Sequence, residues 1–277
     1  MIYDNVYKGI RIEADSIEIG KKVHFGSNIS ILLKGKFSIG DYSCLGDDVQ
    51  IRGNNVKIGQ HLFHSSGLRV GGGGYQNPTA NLTIGDRCTI HDNIINIYEP
   101  IEIGNDVGLS NEVTLLTHGY WLSVLEGYPA SFAGIKIRDG VIIGYRSLVM
   151  MGVEIAEESV IGAQSVVSKS ILKKGIYAGS PARLIRGIIP LDYDQRIKRI
   201  AEIIGKYIPI ASYHGIVDKK LEIDYPRVLF KDFTIDVETF QYWGKEDEET
   251  DDFRDYMRKW GIRIYTERPF RSKYVCQ

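Results

Sequence analysis

Six histidines are the side chains of this sequence best suited to acid–base chemistry near neutral pH. A free imidazole has a pKa of about 6.5, so it can accept a proton from a hydroxyl without prior activation. His118 stands apart because it lies at the start of the longest interruption, Thr117 to Gly134, of a regular sequence pattern. We therefore predict that His118 is a general base. The other histidines lack a comparable setting and are interpreted as structural: His24, His61, His64, His91 and His214.

The cysteines and a run of glycines offer weaker signals. Cys44, Cys88 and Cys276 form no Cys-x-x-Cys pair and no even framework, which indicates reduced thiols in a cytoplasmic protein. The four glycines Gly71–Gly74 are followed by neither a Lys-Ser/Thr pair nor a helical pattern. We interpret them as a surface loop over a subunit contact or an acceptor site, and not as a phosphate-binding loop.

A period of six residues organises most of the chain and must position these side chains. Aliphatic or small residues recur six apart in one unbroken run at Val141, Ser147, Val153, Ser159 and Ser165. Shorter runs with the same spacing occur upstream at Phe37, Ser43 and Val49, at Val56, Leu62 and Leu68, at Leu82, Cys88 and Ile94, and at Val107 and Val113. We predict that residues at these positions point inward.

This period predicts a parallel β-helix. Three short strands of about six residues make a triangular coil of about 18 residues, and successive coils stack about 4.8 Å apart. The phrase Ile-Gly-Asp/Asn, which begins at Ile39, Ile84 and Ile103, marks corners, where Gly, Asp and Asn tolerate turn dihedrals. A β-sandwich would instead show a period of two, with strands 8–12 residues apart.

Three segments carry a resemblance to a known family. They are Val-Thr-Leu-Leu-Thr-His at 113–118, Val-Ile-Gly-Ala-Gln-Ser at 160–165 and Ala-Gly-Ser-Pro-Ala-Arg-Leu-Ile-Arg at 178–186. With them, the chain resembles the hexapeptide-repeat acyltransferases, in particular the maltose, galactoside and xenobiotic O-acetyltransferase branch. The resemblance implies an all-β fold class: a left-handed parallel β-helix over residues 1–187, with a long loop at 117–134. The handedness comes from the resemblance alone.

The same resemblance implies an activity and a set of site residues. It implies direct transfer of an acetyl group from acetyl-CoA to an acceptor hydroxyl, with His118 in the place of the family's catalytic histidine. It also implies a homotrimer with active sites between subunits. The positions that match the family's coenzyme contacts are Tyr145, Ala163 and Ser168 along the pantetheine arm, and Lys169 and Arg186 near the adenosine and its phosphates.

Acceptor contacts are less sharply indicated. Asn93, Asn96 and Glu99 lie about one coil before His118, where the family has polar contacts to its acceptor, although Asn is also a routine corner residue. Trp121, in the long loop, is interpreted as stacking on a sugar face or lining the pantetheine channel, or else as packing at a trimer contact.

Residues 188–277 lose the six-residue period and predict a small α+β extension that caps the solenoid. A helix is predicted at 192–205, beginning at Asp192 and ending at Gly205, and a second between Lys245 and Trp260. The many aromatic residues here are interpreted as the core of this cap, with a carbohydrate-recognising lid as the alternative.

Composition and spacing narrow the possible functions. Thirty-four basic against 35 acidic residues give a net charge of −1, which argues against binding to nucleic acid or an anionic membrane. No apolar run approaches a membrane span and the first residues do not form a signal peptide, so a cytoplasmic protein is expected.

The function favoured by the sequence is O-acetylation of a sugar or glycan of the surface-polysaccharide type. N-acetylation of an amino sugar or nucleotide-sugar is the nearest alternative. A zinc hydro-lyase of the γ-carbonic-anhydrase kind would need three converging histidines, and His64, His91 and His118 are each 27 residues apart. That spacing is one and a half coils, which puts neighbours on different faces, so no metal is expected. A non-catalytic β-solenoid scaffold or ice-binding face would need a flat, regular array of Thr, which the sequence lacks.

Overall fold

The computed structural model describes residues 1–217 and 220–274, so the prediction for Cys276 lies outside the described residues. The chain divides into two compact units, Met1–Ile188 and Ile189–Gln277.

The first unit is a parallel β-solenoid of eight coils, and each of the first seven coils gives one strand to each of three sheets. Short 3-10 turns lie at Val6–Lys8 and Val124–Glu126. The strands are β1 (Ile2–Asn5), β2 (Ile10–Glu13), β3 (Ser16–Ile19), β4 (His24–Phe25), β5 (Ile29–Leu33), β6 (Lys36–Ile39), β7 (Cys44–Asp47), β8 (Val49–Gly53), β9 (Val56–Ile58), β10 (Phe63–Ser66), β11 (Arg69–Gly71), β12 (Leu82–Ile84), β13 (Thr89–Ile90), β14 (Ile94–Asn96), β15 (Ile101–Ile103), β16 (Gly108–Leu109), β17 (Thr114–Leu116), β18 (His118–Gly119), β19 (Ser131–Phe132), β20 (Ile135–Ile137), β21 (Ile142–Ile143), β22 (Leu148–Val149), β23 (Glu154–Ile155), β24 (Val160–Ile161), β25 (Val166–Val167), β26 (Ile176–Ala178) and β27 (Arg183–Arg186).

Hydrogen bonds join equivalent strands of successive coils into the three sheets. The first sheet has the order β1-β2-β5-β8-β11-β14-β17-β22-β25, the second β23-β20-β15-β12-β9-β6-β3, and the third β27-β26-β24-β21-β16-β13-β10-β7-β4. Pairing is parallel except at the two ends, where β1–β2 and β26–β27 are antiparallel. The predicted fold class, a left-handed parallel β-helix of hexapeptide repeats with a C-terminal α+β extension, is confirmed.

The six-residue period corresponds to side chains that point into the solenoid. Val141, Ser147, Val153, Ser159 and Ser165 are all 2% exposed or less, as predicted. Two of the three serines in this run also bond to the backbone: Ser147 Oγ and Ser165 Oγ both donate to Gly162 O, at 2.9 and 2.7 Å. Ser147 and Ser165 therefore combine core packing with satisfied polar groups. The buried Ser159 Oγ makes no hydrogen bond to a described residue.

One predicted inward residue is wrong. Ile94 is 38% exposed, and the buried position next to it belongs to Asn93. The register explains the difference, since Ile94 pairs with Arg69 and Thr114, the outward neighbours of buried Leu68 and Val113. The step from Cys88 to the next position of the six-residue pattern is therefore five residues in this coil. Here a polar corner formed by His91 and Asn93 replaces the corner found in the other coils.

The glycine of the Ile-Gly-Asp phrase has a different role from the one predicted. The glycines of the three phrases, Gly40, Gly85 and Gly104, do not adopt a positive φ. Gly20, in Ile19-Gly20-Lys21, occupies the equivalent position one coil earlier and also has no positive φ. A Cβ there would lie 2.5 Å from Asp41 Oδ1, and that oxygen accepts a hydrogen bond from Lys21 N at 2.7 Å. Glycine is required because the carboxylate of the next coil occupies the space. The same bond recurs along this corner from Gln60 N to Asp86, from Asp86 N to Asn105 and from Asn105 N to Asp139.

Left-handed backbone falls instead on the second residue after that glycine. Tyr42, Arg87 and Asp106 have φ of 57°, 58° and 57°. Non-glycine residues rarely adopt this conformation. Their side chains interact with the side chain at the same corner of a neighbouring coil: Tyr42 stacks on His61 with ring centroids 5.1 Å apart, and Arg87 pairs with Asp106 at 2.7 Å. The corner thus uses side-chain contacts between coils where sequence reasoning expected intrinsic turn propensity.

The second unit contains two helices and a four-stranded antiparallel sheet. Helix α1 is Tyr193–Tyr213, the strands are β28 (Leu221–Asp224), β29 (Arg227–Phe230), β30 (Phe233–Asp236) and β31 (Tyr242–Gly244), and helix α2 is Glu248–Arg258. Asp192 caps α1, as predicted, but Gly205 does not end it. The helix continues because its apolar face does: Tyr207 and Ala211 are fully buried.

The aromatic residues of this unit divide into two sets. The core interpretation holds for one set, which is buried: Tyr207, Phe230, Phe233, Phe253 and Tyr256. A second set is at least 40% exposed: Tyr193, Tyr213, Phe240, Trp243 and Trp260. Across the described ranges of the chain, no helix has the length and hydropathy needed to cross a membrane.

Candidate active site

The candidate active site lies on edge I, the corner at which the chain leaves the first sheet after β11, β14, β17, β22 and β25. Strand register puts five residues at equivalent positions of consecutive coils, so that they form a row along this edge: Gly71, Asn96, Leu116, Met150 and Ser168. His118 follows Leu116 by two residues. Since coils stack about 4.8 Å apart, Ser168 lies about 10 Å along the edge from Leu116.

The interruption of the repeat at Thr117 to Gly134 is a loop that leaves edge I. Its base is a two-stranded antiparallel ladder in which His118 pairs with Phe132. Ala133 N donates to Thr117 O at 3.0 Å and closes the ladder. The coil resumes at Ile135. His118 therefore sits in hydrogen-bonded backbone at the root of the loop, which is where the sequence predicted it.

Aromatic rings surround the His118 imidazole. Ring centroids lie at 5.5 Å for Tyr98, 5.6 Å for Tyr120 and 6.3 Å for Phe132, and the Phe132 ring is nearly parallel to the imidazole, at 11°. Burial among these rings lowers the pKa of His118 below its ordinary 6.5, because a charged imidazolium is poorly solvated there. The imidazole is consequently neutral at pH 7, the form that accepts a proton.

The two ring nitrogens of His118 have different surroundings. Nδ1 is buried and makes no hydrogen bond to a residue that the structure describes. Nε2 faces the glycine run, since a Cβ at Gly73 would lie 3.7 Å from it and 3.6 Å from Tyr120 Oη. The neighbouring glycines lie against the same edge: a Cβ at Gly72 would be 2.7 Å from Asn96 Oδ1, and one at Gly74 would overlap the Tyr98 ring. The glycine loop thus lies directly over the candidate site.

Thr117 is a component of the site that sequence reasoning missed. It is fully buried and its hydroxyl bonds to the preceding coil, donating to Asn96 O at 3.1 Å and accepting from Tyr98 N at 2.7 Å. The position immediately before His118, at the start of the interruption, was the available signal. A hydroxyl there secures two neighbours of the imidazole.

The predicted acceptor residues occupy different environments. Asn93 is fully buried, and its side chain accepts from His91 N at 2.9 Å and donates to Ser110 O at 2.7 Å, so it serves the backbone. Asn96 lies on edge I beneath Gly72, and its Oδ1 is buried without a hydrogen bond among the described residues. Glu99 is half-buried three residues further on, and Trp121 is 90% exposed in the loop.

Two predicted donor-binding residues lie on another corner, between the third sheet and the first. Tyr145 and Ala163 occupy it in successive coils, and Gln164 N donates to Tyr145 O at 2.7 Å. The Tyr145 hydroxyl donates to Glu112 Oε1 at 2.8 Å, which raises the pKa of Tyr145, and Arg146 lies 4.9 Å from the ring centroid. The Tyr145 side chain is therefore held by Glu112 and Arg146. Ala163, in the next coil, is exposed.

The remaining predicted donor-binding residues are exposed. Ser168 and Lys169 follow β25 on edge I, in the last coil. Arg186 ends β27, which pairs antiparallel with β26 at the end of the third sheet. Edge I therefore brings together His118, Asn96, Ser168 and Lys169, and it does not include Tyr145, Ala163 or Arg186.

The three histidines spaced 27 apart do not converge. His64 points into the solenoid from β10 of the third sheet. His91 follows the end of β13, the strand of the same sheet in the next coil, and His118 lies on edge I. Within residues 1–217 and 220–274, no group of three or more His, Cys, Asp or Glu side chains could hold a metal ion.

No family model matches this chain. Among curated proteins, a putative acetyltransferase of Schizosaccharomyces pombe is 40% identical over 107 residues, which is 36% of this chain and 47% of that protein. The galactoside O-acetyltransferase of Escherichia coli is 34% identical over 131 residues, 46% of this chain and 58% of that protein. The chain thus spans about half the length of these relatives.

Solved structures are also similar. A hexapeptide-repeat-containing acetyltransferase from Vibrio cholerae has 24% identity and a TM-score of 0.39, covering 50% of this chain and 76% of that one. The polysialic acid-specific acetyltransferase NeuO has 21% identity and a TM-score of 0.49, covering 74% of this chain and 90% of that one. The resemblance to hexapeptide-repeat acetyltransferases, including the galactoside O-acetyltransferase branch, that the repeat and its motifs predict is confirmed.

Proposed function

We propose that this protein is an acetyl-CoA-dependent O-acetyltransferase that acetylates a hydroxyl of a sugar or glycan, with His118 as general base. The observation that carries the proposal is the His118 imidazole itself. It is kept neutral by burial, lies at the root of the long loop, and turns Nε2 toward the glycine loop. The curated relatives similar to this chain are named acetyltransferases, which supports the same chemistry.

The proposed reaction needs no acyl-enzyme. His118 Nε2 accepts the proton of the acceptor hydroxyl while the oxygen attacks the thioester carbonyl, forming a tetrahedral intermediate. A backbone N–H stabilises the negative oxygen of that intermediate. The carbon–sulfur bond then breaks, and the imidazolium returns its proton to the leaving thiolate. The products are the acetyl ester and free coenzyme A.

We place the acetyl donor along two corners of the solenoid. Ser168 and Lys169 lie on edge I, two coils beyond Leu116, and Tyr145 and Ala163 lie at the opposite border of the first sheet. We assign Ser168, Tyr145 and Ala163 to the pantetheine arm. Exposed Lys169, with Arg186, is assigned to the phosphates of the donor, which need cations.

The acceptor is assigned to the space between the glycine loop and the aromatic rings. Tyr98, Tyr120 and Phe132 offer apolar faces on which a sugar ring can stack. Asn96 Oδ1, an acceptor without a hydrogen bond among the described residues, is suited to a sugar hydroxyl. We assign Glu99, three residues after Asn96, and Trp121, in the long loop, to the same acceptor. Asn93 is left out because its amide is already used by the backbone.

We further propose that the protein is a cytoplasmic homotrimer with its sites between subunits. The loop that begins at His118 exposes apolar side chains, including Trp121 at 90%, Leu125 at 94% and Leu122 at 51%. Apolar groups this exposed in one segment are typical of a surface that another subunit covers. Light scattering coupled to gel filtration measures the state directly, and a monomer at micromolar concentration would contradict it.

A coenzyme-release screen tests the function. Acetyl-CoA is offered with sugars, nucleotide-sugars, oligosaccharides and amino sugars, and free thiol is measured beside product mass spectra. We expect an O-acetyl ester product and a fall of about 10²- to 10⁴-fold in kcat for His118→Ala. His91→Ala is the matched control, a half-buried imidazole on a different corner that should retain full turnover. Undiminished turnover in His118→Ala, or an amide product alone, would overturn the assignment.

A further inference from the structure

The second unit contains a cavity that the proposed acetyl transfer does not use. It is an open cleft of about 380 Å³, within the size range of small-molecule sites. Its walls are aliphatic side chains of α1 and the sheet region, including Ile200, Ile203 and Val237. Two aromatic residues, Tyr225 and Trp260, also line it.

Trp260 is one of the exposed aromatic residues that the core of this unit does not absorb. It is 40% exposed, and the ammonium of Lys206 lies 5.1 Å from its ring centroid. That contact orients the indole, since a cation over the ring is attracted by the π electrons. A fixed, half-exposed indole in a cavity wall is a platform for the flat apolar face of a ligand.

A hydrogen-bonding cluster stands in the same cavity. Glu238 Oε1 accepts from Arg196 Nη1 and from the Tyr225 hydroxyl, both at 2.6 Å. These two donors, Tyr225 first, lower the pKa of Glu238, so the carboxylate is ionised at neutral pH. Oε2 of the same carboxylate remains as an acceptor for ligand hydroxyls, and Arg196 carries further N–H donors.

The charges of the cavity favour a ligand with one negative charge. Its lining holds two cations, Arg196 and Arg199, and one anion, Glu238, which leaves a surplus of one positive charge. Arg196 is paired with Glu238, so the cations left for a ligand are Arg199, in contact with Glu202, and Lys206, which lies over the Trp260 ring. The contact from Arg199 to Glu202 is 3.5 Å between side chains that are 55% and 44% exposed, a weak pair that a bound carboxylate can replace. A diphosphate would bring more charge than this lining balances and would be repelled by Glu238.

We infer that this cavity binds an acidic sugar, a hexose ring carrying one carboxylate, with Trp260 against the ring face and Arg199 at the carboxylate. Glu238, Tyr225 and Arg196 bond its hydroxyls. The site is separate from His118 in the chain and in its chemistry, so the inference stands whether or not the protein transfers acetyl groups.

Isothermal titration calorimetry on the full-length protein tests the inference, with sodium glucuronate, glucose and uridine diphosphate as probes. Glucuronate is expected to bind at least about tenfold more tightly than glucose or the diphosphate. Added salt should weaken the binding of glucuronate and leave the binding of glucose unchanged. Equal binding of glucose, tighter binding of the diphosphate, or no heat with glucuronate at millimolar concentrations would overturn it.

Matched variants locate the site. Trp260→Ala is expected to weaken glucuronate binding about tenfold. Trp243→Ala should leave it unchanged, because Trp243 is 45% exposed in the same unit, has Arg227 over its ring at 5.5 Å, and does not line the cavity. Arg199→Gln changes an exposed side chain, so the protein should still fold. It should weaken the binding of glucuronate by a similar factor and leave the binding of glucose unchanged.

The variants also separate this inference from the proposed function. His118→Ala should bind glucuronate like the wild type while losing acetyl transfer. Retained glucuronate binding in both Trp260→Ala and Arg199→Gln would contradict the cavity site and leave the assignment of His118 untouched.

Discussion

The hydroxyl of Thr117 accepts a hydrogen bond from Tyr98 N at 2.7 Å, and so ties the residue before His118 to the coil beneath it. The same oxygen accepts from Glu99 N at 3.3 Å and donates to Asn96 O at 3.1 Å. One buried hydroxyl thus bonds three backbone groups of the preceding coil, including that of Tyr98, whose ring lies 5.5 Å from the imidazole. We propose that Thr117 acts through them as a positioning residue.

Thr117→Val removes these bonds while keeping the shape of the side chain. It leaves two backbone N–H groups without their partner, which costs about 1–3 kcal/mol for each buried group. We expect a lower free energy of unfolding and a fall in kcat of about tenfold, with the KM for acetyl-CoA within about twofold. Urea titrations and steady-state kinetics measure both effects. Thr117→Ser should restore them, and a serine variant as impaired as valine would contradict the role of the hydroxyl.

The pH dependence of turnover should report the buried imidazole. Burial lowers the pKa of His118 below 6.5, and a general base works only when unprotonated. We expect kcat/KM to stay level from neutral pH down past 6.5 and to decline only at more acidic pH. His91→Ala should show the same profile. An acidic limb centred at or above pH 6.5 would be inconsistent with His118 as the base.

Two adjacent glycines should respond differently to alanine. A Cβ at Gly73 would make ordinary contacts with His118 Nε2 and Tyr120 Oη, at 3.7 and 3.6 Å, whereas a Cβ at Gly74 would overlap the Tyr98 ring. We expect Gly73→Ala to keep its stability and to raise the KM of the acceptor, because the methyl enters the space beside Nε2. Gly74→Ala should lower the melting temperature. Thermal denaturation and acceptor kinetics distinguish the two, and equal melting temperatures would refute the predicted overlap.

His64 should make stability depend on pH. It is fully buried, neither ring nitrogen has a hydrogen bond among the described residues, and burial lowers its pKa to about 4. Between pH 6.5 and about 4 the unfolded chain binds a proton here that the folded chain does not. The free energy of unfolding is therefore highest above pH 6.5 and declines as the pH falls to about 4.

Replacing His64 by leucine removes this dependence. The residue lies in register between Leu45 and Ile90, so an apolar side chain continues the stack. We expect His64→Leu to raise the free energy of unfolding by about 1–3 kcal/mol at pH 7 and by more at pH 5. Urea titrations at the two pH values measure the change. His24→Leu, at an exposed position of the same sheet, is the control, and an equal gain there would refute the explanation.

The sequence alone predicted the solenoid because a β-helix is built from local spacing. Each coil repeats the one before it, so the inward positions follow from counting, as for Val141 to Ser165. The count failed at Ile94, where a five-residue step moves Asn93 inward. The position of His118 at the root of the loop was predictable for the same reason, since an insertion in a periodic pattern is visible in the sequence.

Tertiary structure decided how neighbouring coils contact one another. Residues about 20 to 45 apart in the chain meet there, such as Asp41 with Gly20 and Gly73 with His118, and no period identifies those pairs. Intrinsic turn propensity was the wrong explanation for the corner glycines, which are required by the close approach of the next coil. Counting coils also did not predict that the glycine run lies against the His118 imidazole. Stacking distance and register, which depend on every insertion between two coils, determine which side chains share an edge.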